Sequence, residues 1–143
     1  EAQFMDIVSF IEANYRVKAD KAHRAIAGLS MGGYHSMHIS RFYPDTFDYV
    51  GLFSAAIMPR EDKSDKGVYA NFDETLKAQN ENGYQLYWIG IGKTDFLYEA
   101  NTAFRKQLDQ MDMPYEYMET EGGHIWRNWR VYLSEFVPLL FED

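Results

Sequence analysis

The chain has 143 residues, of which 46% are hydrophobic and 17% aromatic, and its 14 basic and 22 acidic side chains give a net charge of −8. This composition supplies one hydrophobic core and argues against disorder, and the lack of a basic stripe or of an apolar run of about 18 residues argues against nucleic-acid and membrane partners. The absence of cysteine excludes disulfides, thiolate metal sites and a cysteine nucleophile.

Helical and strand patterns alternate along the chain, which predicts an α/β fold with a mostly parallel sheet. A first helix is predicted over residues 1–15, because apolar residues recur at helical spacing on one face: Phe4, Ile7, Val8, Ile11 and Tyr15. The apolar run 24–28 predicts a buried strand. A second helix is expected from Met31 to Tyr43, and residues 49–53 predict the next strand.

The second half of the chain continues the alternation. Residues 58–71 are polar and irregular and predict a loop. Asn71 with Glu74 predicts a capped helix start, and Gly83 its end. Further along the chain, the pattern predicts a strand over 86–91, a helix over 98–111 and a strand over 115–120.

The last helix is predicted to begin near Trp126 and to bury one stripe, formed by Trp129, Leu133, Phe136, Val137 and Leu140. We expect a single, partial domain over residues 1–143. An opening helix with no strand before it suggests a piece of a longer protein.

A possible nucleophile lies at the junction of the first strand and the second helix, where Gly28, Ser30 and Gly32 match G-x-S-x-G. A tight strand-to-helix turn pushes such a serine hydroxyl out above the sheet, and we expect Gly28, Gly32 and Gly33 to provide the space that the turn needs. The N–H of Met31 is then placed to donate to an oxyanion at the positive end of the helix. The alternative is a glycine-rich turn with an incidental serine.

A serine nucleophile needs a general base, and the chain has four histidines: His23, His35, His38 and His124. In hydrolases with the chain order serine, acid, histidine, the base lies on a loop after the final strand, and only His124 meets both conditions. The alternative is an ordinary surface-loop histidine. His35 and His38 share one helix face without an evident third ligand, so we predict no metal site and no cofactor.

The acid that orients the imidazole should lie on a loop after a strand between those of Ser30 and His124. Asp95 follows the third predicted strand in this way. Four other carboxylates fit less well, two because they fall in predicted helices and two because they lie too close to His124: Asp73, Glu99, Glu119 and Glu121. The sequence therefore predicts the triad Ser30, Asp95 and His124.

These motifs, in this order, resemble the putative-esterase (esterase D-like) family of α/β-hydrolases, and most closely its feruloyl and acetylxylan esterases. The resemblance rests on Gly-Leu-Ser-Met-Gly-Gly at 28–33, Phe-Ser-Ala-Ala at 53–56, Gly-Lys-Thr-Asp at 92–95 and Gly-Gly-His-Ile-Trp-Arg-Asn-Trp-Arg at 122–130. It covers nearly the whole chain. It implies the C-terminal half of an α/β-hydrolase fold and a carboxylic ester hydrolase of the Ser-Asp-His type.

The resemblance also implies feruloyl or acetyl groups on plant polysaccharides such as xylan as substrates, and a secreted or periplasmic location, although no signal peptide is visible. The broader family includes enterochelin esterases, S-formylglutathione hydrolases and mycolyltransferases, so the fold does not fix the substrate. We keep three hypotheses: an esterase on acylated carbohydrate or small esters, a thioesterase or peptidase on the same scaffold, and an inactive or carbohydrate- or partner-binding piece of a larger hydrolase.

Family members carry an N-terminal half that this sequence lacks, including the loop that provides the second oxyanion N–H. We therefore expect an open outer edge on the strand at 25–27, and a homodimer or association with the N-terminal half. Trp126, close to His124, is a candidate substrate-stacking residue, whereas Trp129 is expected in the core. The loop 58–70 is a candidate wall of the acyl pocket.

Overall fold

A four-stranded parallel sheet with helices on both faces forms the protein, as described by a computed structural model for residues 3–57 and 66–142. The strands are β1 (Ala25–Leu29), β2 (Tyr49–Phe53), β3 (Leu86–Gly92) and β4 (Glu116–Thr120). The helices are α1 (Phe4–Asn14), α2 (Met31–Phe42), α3 (Phe72–Asn82), α4 (Tyr98–Gln110) and α5 (Trp126–Phe136). The order of elements follows the prediction, with bounds shifted by at most one residue except in the first helix, which was predicted over 1–15 and begins at Phe4.

The strands lie in the order β1-β2-β3-β4, and every neighbouring pair is parallel. Ala25 is paired with Tyr49, and Tyr49 is paired in turn with Leu86. Because the strands are parallel, their carboxyl ends meet at one edge of the sheet, which is where open α/β sheets place their functional loops. The loops that follow β1, β3 and β4 therefore converge.

Alternate strand residues pack into two separate hydrophobic clusters, as expected for a sheet buried on both faces. One cluster joins the sheet to α2, α3 and α4 and includes Met37, Val50, Leu52, Leu76, Ile89 and Leu108. The other lies under α5 and consists of Tyr49, Phe53, Leu86, Trp88, Tyr132 and Phe136. The two clusters fix the sheet, and with it the ends of the strands.

The buried face of α5 differs from the predicted stripe. Asn128, Tyr132 and Phe136 are the buried residues, four positions apart, whereas Leu133 and Val137 are each about half exposed. Trp129 lies partly buried against the second cluster, as expected. The apolar stripe is wider than the surface that the sheet offers, so one side of it stays in contact with solvent.

Helix α1 forms where predicted, but none of its residues is buried. Ile7 is 59% exposed, and Phe4 packs against Phe47 at a ring-centroid distance of 6.1 Å. In the part of the chain that the structure describes, no strand pairs with the outer edge of β1. A groove of about 700 Å³ lies there, lined by α1, β1 and α2.

The structure describes only part of the predicted loop 58–71. Residues 58–65, which include most of the candidate pocket wall, lie outside the described ranges. A 3₁₀ turn over Gly67–Tyr69 buries Val68, so the described end of this segment is packed rather than open. Asn71 precedes α3 with φ of 49°, and its side chain does not cap the helix, contrary to the prediction. None of the helices within the described ranges has the length and apolar content needed to span a bilayer.

Candidate active site

Ser30 stands at the sharp turn between β1 and α2. Its backbone angles are φ 54° and ψ −117°, a strained conformation for a residue with a side chain. Two hydrogen bonds hold the turn: the Ser30 N–H donates to the Phe53 carbonyl at 2.9 Å, and the Ser30 carbonyl accepts from the Ala56 N–H at 2.9 Å. The strain is thus maintained by the chain that follows β2.

Glycines permit this turn, though not all three that the sequence suggested. A Cβ on Gly28 would lie 2.3 Å from the Gly32 carbonyl carbon, and one on Gly33 would lie 2.6 Å from the Ala55 Cβ. A Cβ on Gly32 would meet no atom within 4 Å. The prediction for Gly32 is therefore wrong, because that position faces the groove beside β1.

Ser30, His124 and Asp95 form one hydrogen-bonded line. The Nε2 atom of His124 lies 3.0 Å from the Ser30 Oγ, and its Nδ1 atom lies 2.9 Å from the Asp95 Oδ2. The Asp95 side chain is fully buried, while that of His124 is 19% exposed. With the Nδ1 proton donated to Asp95, Nε2 can accept the proton of the serine hydroxyl.

The loop after β3 presets the carboxylate of Asp95. Its Oδ1 accepts a hydrogen bond from the Leu97 N–H at 2.9 Å, which leaves Oδ2 to face the imidazole. The backbone N–H of Asp95 donates to the Gly92 carbonyl at 3.0 Å and tightens the turn. The contacts of its two oxygens therefore fix the orientation of the Asp95 carboxylate.

The loops that carry the acid and the histidine lie against one another. Thr94 N–H donates to the Gly122 carbonyl at 3.1 Å, and a Cβ on Gly92 would lie 2.2 Å from that same oxygen. Gly122 has φ of 86°, which favours glycine. The Asn128 amide donates to the Gly123 carbonyl at 3.0 Å and attaches the histidine loop to α5.

An exposed ion pair bridges the same two loops. The ammonium of Lys93 hydrogen bonds to the Glu121 carboxylate, and this bond, with the carboxylate's charge, raises the pKa of Lys93 above its usual value. On β4, hydrogen bonds from Tyr98 and Tyr117 lower the pKa of Glu119. Glu119 and Glu121 are thus engaged away from the His124 imidazole.

The remaining alternatives lie outside this line. Asp73 lies on α3 and accepts a hydrogen bond at 2.7 Å from the amide of Gln107 on α4. His38 is buried in α2, where its Nδ1 lies 2.6 Å from the Arg41 guanidinium. Across residues 3–57 and 66–142, no three histidine or acidic side chains are grouped so that they could hold a metal ion.

The N–H of Met31 begins α2 directly after Ser30. A first-turn N–H has no acceptor within its own helix, and within the described residues it donates to no other backbone oxygen. The neighbouring N–H groups are occupied, since Ser30 donates to Phe53 and Ala56 donates to Ser30.

Two exposed aromatic side chains lie near this line, one packed on Trp129 and the other on His124. Trp126 is 66% exposed and packs on Trp129 at a centroid distance of 5.1 Å. Phe96 is 72% exposed, and its ring lies 4.8 Å from that of His124. Phe96 was not predicted as a site residue, although its position directly after Asp95 was a usable signal.

The parallel sheet, the strained serine turn and the loops at the strand ends define the chain as an α/β-hydrolase. This fold is shared with a solved ferulic acid esterase, which superposes with a TM-score of 0.78 at 25% identity, over 96% of this chain and 58% of that one. A family model described as "Putative esterase" matches residues 5–140, and the chain belongs to that family.

Two curated proteins are similar in sequence. An endo-1,4-beta-xylanase/feruloyl esterase from Xylanibacter ruminicola is 44% identical over 79 residues, which cover 54% of this chain and 11% of the relative. An acetyl esterase from Caldicellulosiruptor saccharolyticus is 23% identical over 155 residues, covering 90% of this chain and 58% of the relative. The chain thus spans only part of the length of each.

Proposed function

We propose that this chain carries the catalytic centre of a serine carboxylic ester hydrolase. The observation that carries the proposal is the continuous line from the Ser30 Oγ to the His124 Nε2 at 3.0 Å and from Nδ1 to the Asp95 Oδ2 at 2.9 Å. A hydroxyl is a weak nucleophile unless an adjacent base accepts its proton, and the base in turn needs a third group to orient it. The hydroxyl, the base and the orienting carboxylate come from three separate loops, which carry Ser30, His124 and Asp95.

In the acylation half of the proposed reaction, Ser30 Oγ attacks the ester carbonyl while His124 Nε2 takes the hydroxyl proton. The imidazolium that forms is stabilised by the buried Asp95 carboxylate. The carbonyl oxygen becomes an oxyanion, to which the Met31 N–H donates at the N-terminus of α2. His124 then gives its proton to the departing alcohol, leaving an acyl group on Ser30.

Deacylation repeats these steps with water as the nucleophile. His124 removes a proton from water, the hydroxide attacks the acyl carbonyl, and the proton returns to Ser30 as the acid product leaves. The 19% exposure of the His124 side chain gives water access to the imidazole.

For the substrate, we propose feruloyl or acetyl esters of plant polysaccharides such as xylan, or small esters. The names of the two curated relatives, a feruloyl esterase joined to a xylanase and an acetyl esterase, support this class. Phe96 offers an exposed ring beside the histidine, and Trp126 offers one packed on Trp129, and an aromatic acyl group or a sugar could stack on either. We assign Trp126 to substrate binding on this basis.

A fluorophosphonate probe tests the nucleophile, because it labels an activated serine and not an ordinary one. Wild-type protein should be labelled and Ser30→Ala should not, whereas Ser134→Ala, which removes an exposed serine on α5, should be labelled like the wild type. Folded protein that resists the probe would favour a binding role instead.

A substrate panel then separates the remaining alternatives. We expect hydrolysis of nitrophenyl acetate, methyl ferulate and acetylated xylan, with Trp126→Ala raising KM for methyl ferulate more than for nitrophenyl acetate. A preference for acyl thioesters or peptides over these esters would move the protein to another substrate class on the same scaffold.

A further inference from the structure

One tryptophan connects the helix after the histidine with the segment that holds the nucleophile. Trp129 lies one turn into α5, and its indole Nε1 donates a hydrogen bond to the Ser54 Oγ at 3.1 Å. The indole also meets the His124 ring at a centroid distance of 4.9 Å and an interplanar angle of 82°, an edge-to-face contact. A single side chain thus touches both the proposed base and the end of β2.

The acceptor of this hydrogen bond is itself fixed. Ser54 is fully buried, its N–H donates to the Gly90 carbonyl at 2.8 Å, and its φ of 44° lies in the left-handed region. The residue before it, Phe53, supplies the carbonyl that accepts the Ser30 N–H. The Ser54 hydroxyl is therefore a fixed point one residue away from the hydrogen bond that holds the nucleophile turn.

The His124 ring needs such a restraint. It follows the glycine pair Gly122–Gly123, and within residues 3–57 and 66–142 its one polar restraint besides the nucleophile is the Asp95 carboxylate on Nδ1. A ring attached at one atom can still swing about its side-chain bonds, which would change the distance from Nε2 to Ser30 Oγ. The rings of Phe96 and Trp129 both contact the imidazole, at 4.8 and 4.9 Å, and of the two the indole is the one that a hydrogen bond holds in place.

We infer that Trp129 is a positioning residue for the proposed ester hydrolysis. Its hydrogen bond to Ser54 holds the indole edge-to-face with the His124 ring, and this keeps Nε2 within hydrogen-bonding distance of the Ser30 hydroxyl. The inference rests on the proposed function. It adds a connection from nucleophile to base that runs through the backbone of Phe53 and Ser54 and the indole of Trp129, and not through Asp95.

The test uses two substitutions that remove the same hydrogen bond from opposite ends. Trp129→Phe keeps an aromatic ring but loses the N–H, and Ser54→Gly loses the hydroxyl at a backbone angle that glycine adopts readily. We expect each to lower the labelling rate at saturating fluorophosphonate about tenfold, since small displacements of catalytic groups slow the reaction strongly. The double variant should also lose about tenfold, because only one bond is lost.

Tyr132 offers a matched control on the same helix. Its hydroxyl lies 2.6 Å from the Thr120 Oγ1, so Tyr132→Phe removes an aromatic-to-hydroxyl hydrogen bond between α5 and the sheet that does not involve His124. This variant should lose thermal stability and keep the wild-type labelling rate. An equal loss of labelling in Tyr132→Phe would overturn the inference, because general packing of α5 would then explain both results.

The ¹⁵N signals of the His124 imidazole give a readout that does not depend on turnover. We expect both proteins to hold the Nδ1-protonated tautomer that Asp95 fixes, and Trp129→Phe to show shifted or broadened His124 ring signals because the ring is less restrained. A wild-type labelling rate in Trp129→Phe, or a loss of about a hundredfold in the double variant, would refute the coupling. If the wild type itself resists the probe, the proposed function fails. The positioning role of Trp129 is tested independently of that result, and unchanged imidazole signals in Trp129→Phe would overturn it.

Discussion

Asp95→Asn is the sharpest perturbation of the proposed mechanism, because the surroundings of the side chain decide which way the new amide points. The Leu97 N–H donates to Oδ1, so the amide oxygen of asparagine takes that position. Its NH₂ group then occupies the place of Oδ2, 2.9 Å from the His124 Nδ1. There it donates to Nδ1, and the imidazole proton moves to Nε2.

The consequence is a base that already carries a proton on the atom that must accept one. Nε2–H would face the Ser30 Oγ across 3.0 Å as a donor. The substitution also removes the negative charge that stabilises the imidazolium. We expect the labelling rate of Ser30 to fall about 10⁴-fold, equivalent to about 5.5 kcal/mol of transition-state stabilisation. The fold should be retained, because the amide preserves the shape and the Leu97 hydrogen bond.

The assay compares labelling rates with the ¹⁵N tautomer signals of the histidine in the same samples. Asp20→Asn is the matched control, because Asp20 lies 2.6 Å from the His23 Nδ1 in an exposed aspartate–histidine pair far from any nucleophile. This control should react like the wild type. Labelling of Asp95→Asn within tenfold of the wild type would refute the reasoning, and a damaging Asp73→Asn would move the acid to another residue.

Three further predictions follow from the same contacts. Gly28→Ala should lower the melting temperature and abolish labelling, because its Cβ would lie 2.3 Å from the backbone of Gly32, whereas Gly32→Ala should keep or raise the melting temperature, since that Cβ meets nothing within 4 Å. Two tyrosine hydroxyls hold the pKa of Glu119 below its ordinary value of 4.5, so Glu119 stabilises the fold above that pH and this stabilisation is lost as the pH falls through the lowered pKa. In Glu119→Gln the free energy of unfolding, measured by urea titration, should therefore fall less steeply as the pH is lowered. An unchanged fall at acid pH would contradict this. Finally, we expect the chain to self-associate through the open β1 edge and α1, so that sedimentation finds a dimer for the wild type and a monomer for Ile7→Glu; a monomeric wild type would refute it.

The elements and the positions of the three site residues were predictable, because each depends on local signals. Ser30 lies in a motif that needs glycines and a strand-to-helix junction, and Asp95 and His124 each follow a strand directly. In a parallel sheet all such positions share one edge, so three loops far apart in sequence converge without any knowledge of side-chain packing. The structure brings these residues together with both hydrogen bonds formed.

Which face of a helix is buried was less predictable, because apolar periodicity reports what a helix could bury and not what lies next to it. The stripe of α5 includes Leu133 and Val137, yet the sheet covers a face that passes through Asn128, whose amide holds the histidine loop. The same limit hid the contacts of Trp129, which packs on the core like any apolar residue while its N–H donates to Ser54 and its ring contacts that of His124. A polar atom on an apolar stripe is invisible to hydropathy. Its role depends on which loop lies opposite, and that is set by the register of the parallel strands.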